Sequence, residues 1–70
     1  MGLLKTKQVN DRMRFKYPVH GDILSNERQI VDGVVEALGK GPNGPHVTIK
    51  EKDGDGELFR CFSEWKIEPE

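Results

Sequence analysis

HVTIKEKDGDGELFRCFS, residues 46–63, consists of two alternating runs on either side of a repeated Asp-Gly. In the first run Val47 and Ile49 alternate with Thr48 and Lys50. In the second, Leu58, Arg60 and Phe62 fall on one face and Phe59 and Cys61 on the other. A period of two is that of a half-buried strand. Asp-Gly between two such runs is a strong hairpin signal, because glycine supplies the positive φ that a tight turn needs. The stretch predicts a β-hairpin over residues 47–62.

Upstream lies GKGPNGP, residues 39–45, whose glycines Gly39, Gly41 and Gly44 match G-x-G-x-x-G. A dinucleotide loop leaves a strand and opens a helix, so that free N–H groups face the pyrophosphate. Here Pro45, His46 and a strand follow instead. The Lys-Ser/Thr pair of a phosphate-binding P-loop is also missing. The segment therefore reads as a hairpin loop, with Pro42-Asn43-Gly44 as its turn and positive φ expected at Gly39 and Gly44.

QIVDGVVEALGKG, residues 29–41, is rich in β-branched side chains. A helix there would carry Gly33 at its centre, at a cost of roughly 1 kcal/mol, so a strand is expected with Gly33 as a bend or bulge. RMRFKYPV, residues 12–19, places Met13, Phe15 and Tyr17 on one face and Arg12, Arg14 and Lys16 on the other, and Pro18 should end that strand. HGDILSNERQ opens on a glycine turn, supplies Ile23 and Leu24, and becomes polar from Ser25 to Arg28. In SEWKIEP, Ser63 is placed to cap a short helical turn, Ile67 to plug the core and Pro69 to stop the chain.

About five short strands in 70 residues predict an all-β fold: a small five-stranded barrel over residues 12–70, with a flexible basic leader at 1–11 and a short C-terminal helical turn. A flat sheet would leave one face bare and two edges unpaired. The succession HGDIL, VDGVVEAL, HVTIKEKDGDGELFRCF and FSEWKIEP resembles SH3-like barrels of the KOW and Tudor kind across residues 20–69. The resemblance extends to architecture and to no single family. It implies an exposed aromatic groove formed by Tyr17 and Trp65, with Arg60 and Lys66 at its rim, in which rings stack on bases, prolines or methylated side chains.

Charge is divided unevenly along the chain. Residues 1–16 hold five basic side chains against one acidic, a balance of +4, while residues 17–70 hold six against eleven, a balance of -5. The basic arm, Lys5, Lys7, Arg12, Arg14 and Lys16, predicts contact with the phosphates of RNA or single-stranded DNA, where pairing releases counterions. The alternative partner is a protein, with the domain acting as an adapter for an extended peptide.

The other chemistries fail on spacing. From Asp53, carboxylates fall at positions 1, 3, 5 and 12 of a calcium loop, but Leu58 occupies position 6, where the sharp turn requires glycine. One cysteine, Cys61, excludes an internal disulfide and a cysteine-rich zinc site, and it is expected in the core as a small apolar residue. No nucleophilic triad can be assembled, so the expectation is a non-catalytic module without metal or cofactor. The lone thiol points to a reducing, cytoplasmic setting, and no apolar run is long enough to cross a membrane. MGLLKT matches a short N-terminal acylation pattern that chance supplies often.

Overall fold

The structure is a computed structural model that describes residues 4–70. The acylation pattern at Gly2 and the first three residues of the leader lie outside them. The fold is all-β: β1 (Arg12–Pro18), β2 (Arg28–Gly41), β3 (Gly44–Asp53) and β4 (Gly56–Ser63) form one antiparallel sheet in the order β1-β2-β3-β4. Two single-turn 3₁₀ helices, Val19–Gly21 and Glu64–Lys66, complete the elements.

Each strand follows from its alternation. Met13, Phe15 and Tyr17 of β1 are buried, as are Val31 and Val35 of β2, Val47 and Ile49 of β3 and Phe62 of β4. Leu4 and Ile67 close the same cluster. Phe15, Tyr17 and Phe62 meet edge to face, with ring centroids 4.7 to 6.4 Å apart, the arrangement that ring quadrupoles favour. Ile67 is thus the plug that its place after the helical turn suggested.

The predicted 47–62 hairpin is present as β3 and β4, paired from His46↔Ser63 to Asp53↔Gly56. Its two-residue turn has Gly54 at φ 63°, the position where hairpin turns take a first glycine. The β2–β3 turn runs through Pro42-Asn43 to Gly44, which carries φ 95°. Gly39 does not share that conformation. It lies within β2 opposite His46, and a Cβ there would come within 2.6 Å of the His46 ring.

Gly33 is neither a turn nor the bulge. The register shift falls between Val35 and Ala37. At Gly33 the β2 backbone instead lies so close to β3 that a Cβ would stand 2.4 Å from the Lys50 carbonyl oxygen and 2.6 Å from Ile49 Cγ2.

The expected five-stranded barrel is corrected to a four-stranded open sheet. HGDIL supplies no strand: His20 and Gly21 adopt positive φ, the Asp22 carboxylate accepts the Leu24 N–H at 3.0 Å and the Ser25 hydroxyl accepts the Glu27 N–H at 3.1 Å. These local bonds hold the backbone in turns and compete with a ladder. Beyond β4, one residue pairs outside the four strands. Glu68 exchanges two backbone hydrogen bonds with Lys16 of β1, at 2.9 and 3.0 Å.

The described part of the leader packs on the body. Leu4 is buried, the Asn10 N–H donates to the Val35 carbonyl at 2.8 Å, and the Val35 N–H donates to the Asp11 carbonyl at 2.7 Å. No break in packing marks residue 11. Among the described residues no helix is long and apolar enough to cross a membrane.

Candidate functional site

β1, β4 and the loop between β1 and β2 enclose a surface cleft of about 410 Å³. Tyr17 and Phe62 supply its apolar side, Val19, His20 and Gly21 one wall, and Gln29, Arg60 and Cys61 the rest. The strands' alternation positions the first two. Position 17 of β1 and position 62 of β4 both face the core, and their rings meet at 4.7 Å.

Tyr17 sits deeper than the exposed groove residue the sequence suggested. Its ring is buried, and its hydroxyl accepts the Ser63 N–H at 3.1 Å. That bond occupies the N–H of the residue preceding the helical turn. Ser63 makes no side-chain cap to the turn.

Arg60 is held rigidly. Its Nε and one terminal nitrogen donate to the two Glu51 carboxylate oxygens at 2.6 and 2.9 Å, and the other nitrogen donates to Gln29 Oε1 at 3.0 Å. The hydrogen bond to Glu51 raises the Arg60 pKa above its ordinary value, against the opposing effect of burial. The guanidinium also stands 5.2 Å from the Phe62 ring centroid. Such a fork orients the cleft wall and leaves Arg60 little capacity for a second anion.

Lys66 Nζ donates to the Gly21 carbonyl at 3.0 Å and lies 5.3 Å from the Trp65 ring centroid. It ties the helical turn after β4 to the loop after β1. Trp65 remains 58% exposed, and Leu24 of that loop 89% exposed. Of the four groove residues read from sequence, Tyr17 and Arg60 line one cleft, Lys66 ties its wall, and Trp65 stands on the turn after β4, outside the lining.

The five basic residues are dispersed. Arg12 and Arg14 both reach Asp32 Oδ2, at 3.3 and 3.4 Å, and Arg14 also reaches Glu70 at 2.7 Å. The bond to Glu70 raises the Arg14 pKa. Among the described residues Lys5, Lys7 and Lys16 form no ion pair; Lys16 projects from the outer face of β1, and Lys5 lines a separate cleft with Leu4, Leu38 and Pro45.

Sequence reasoning missed the outer face of β4. Cys61 is exposed rather than in the core, because residue 62 faces inward and 61 must therefore face outward. Phe59 lies on the same outer face, 51% exposed. The alternation Leu58-Phe59-Arg60-Cys61-Phe62 already held this signal, since an inward Phe62 excludes an inward Cys61. Among the described residues no cluster of three or more metal-binding side chains occurs.

Comparison of the chain with protein-family models, curated proteins and solved structures finds no match, so the functional reading rests on the cleft and the groups around it.

Proposed function

We propose that this chain is a non-catalytic binding module that holds an extended protein segment in the cleft beside Tyr17 and Phe62. The observation that carries the reading is the cleft itself: an apolar base and a wall fixed by Lys66 and Arg60, with exposed apolar side chains at Trp65, next to Lys66, and at Leu24 in the loop that supplies the wall. Small interaction modules place a few polar groups around an apolar depression in this way. The domain is read as an open variant of the SH3-like barrel. Support comes from the Lys16–Glu68 pairing, which sets a fifth, one-residue rung beside β1 after a helical turn.

The second reading is nucleic-acid binding by the basic arm, favoured by Lys5, Lys7 and Lys16, which form no ion pair among the described residues. Arg12 and Arg14 weaken it, since both already face carboxylates. A single-stranded RNA titration separates the two. Phosphate binding by several lysines loses affinity steeply between 50 and 200 mM salt, by about tenfold or more for three or four contacts. The peptide reading expects no such binding, and it expects displayed twelve-residue peptides selected on the domain to lose affinity when Val19→Lys alters the cleft wall. Steeply salt-dependent RNA binding, with no peptide sensitive to that change, would overturn the protein-ligand reading.

A further inference from the structure

β4 is the last strand of the sheet, and its outer edge carries unpaired backbone groups at known positions. The turn fixes their parity. In a two-residue hairpin the flanking pair, here Asp53↔Gly56, is hydrogen-bonded, so every second pair after it is too. Leu58, Arg60 and Phe62 therefore direct their N–H and C=O groups to β3, while Glu57, Phe59 and Cys61 direct theirs outward. The Ser63 N–H agrees independently: it has the same parity as 57, 59 and 61, and it points away from β3 to the Tyr17 hydroxyl.

That edge lacks the usual protection. Proline and lysine are absent from GELFRCFS, and the inward Arg60 is held by Glu51. Exposed Phe59 and Leu58 flank the free backbone groups. Edge strands of this character pair with further strands.

We propose that the β4 edge is a dimerisation surface whose occupant is β4 of a second copy, antiparallel and centred on Phe59. The strand is self-complementary in this register. Phe59 meets the second copy's Phe59, Glu57 lies opposite its Cys61, and Leu58 lies opposite its Arg60, so no like charges face each other. Outward groups at 57, 59 and 61 find the same three positions in reverse order, which gives a closed set of strand hydrogen bonds. Cross-strand aromatic pairs stabilise such contacts. Arg60 and Cys61 also line the Tyr17 cleft, so the contact adjoins that cleft at one end, and the Phe59 variants test it at a residue outside the cleft.

The test is sedimentation equilibrium of the full chain from about 10 μM to 1 mM, a range suited to an interface formed by one strand pair. Wild type should dimerise. Phe59→Lys and Phe59→Glu should each remain monomeric, since residue 59 would meet its own charge across the axis. An equimolar mixture of the two variants should recover dimers. The side chain faces outward and is half exposed, so both variants should keep the fold, as circular dichroism would report.

Phe59→Pro provides a second variant, because proline is tolerated where the strand N–H faces solvent; it too should abolish the dimer. A spin label on Cys61 gives a register readout. Two copies paired at Phe59 set their Cys61 Cα atoms roughly 15 Å apart, four strand residues along and one strand across. A monomeric wild type at 1 mM, a dimer indifferent to all three substitutions, or a mixture of the charge variants that stays monomeric would overturn the proposal.

Discussion

Gly33 has no room for a side chain, and the obstruction is backbone. A Cβ would stand 2.4 Å from the Lys50 carbonyl oxygen, so Gly33→Ala must push β2 from β3 in the middle of the core. Overpacking of this kind costs about 1–3 kcal/mol, a large part of the roughly 4–10 kcal/mol expected for a chain of this length. A urea midpoint lowered by that amount would confirm it. Gly39→Ala meets the His46 ring, which can swing aside, and should shift the midpoint less. If the two variants lose equal stability, the close backbone approach is not what selects glycine at 33. Tyr17→Phe removes the acceptor of the Ser63 N–H and should cost about 1–2 kcal/mol, measurable in the same titration. Alternation put Tyr17 on the face of Met13 and Phe15, which the structure buries, against the exposed groove that the barrel resemblance implied. The hydroxyl's partner depends on β1 meeting the end of β4, a contact between residues 46 positions apart.

At the scale of elements, the β3–β4 hairpin was readable because its turn and both alternating runs are local. The same holds for β1 and for β2, where the β-branched residues and the central Gly33 argued against a helix. That the expected fifth strand is absent was not readable, and the reason is physical. HGDIL has strand-compatible side chains, yet Asp22 and Ser25 satisfy neighbouring N–H groups, and a left-handed His20 turns the chain. Glu68 pairs with β1 in a segment with no alternation to reveal it. The leader shows the same limit: Leu4 is buried among residues distant in sequence, which periodicity within 1–11 does not encode. Leu4→Ala should therefore destabilise the whole domain by about 2 kcal/mol, the lower end of the range for buried leucine, seen as a lower thermal midpoint. An unchanged midpoint would mean that the leader contributes nothing to the fold.

For the whole molecule, the two edges of the sheet differ in a way that limits association. β1 is covered at Lys16 by two backbone bonds from Glu68, and the same C-terminal segment carries Glu68 to Arg28 at 2.8 Å and Glu70 to Arg14 at 2.7 Å. β4 is left open. A two-fold contact through β4 uses the open edge of both copies at once, so growth stops at two. Light scattering should then rise with concentration from the 8.0 kDa of the monomer to twice that value and no further. Removing residues 68–70 takes away the backbone bonds that cover β1 and the ion pairs to Arg14 of β1 and Arg28 of β2, and a newly open β1 edge supplies a second site for strand addition. The shortened chain should form assemblies larger than dimers, detected by the same scattering measurement, while Phe59→Lys in that background should return it to dimers joined through β1. If the shortened chain still stops at two copies, the C-terminal segment is not what keeps this sheet from extending.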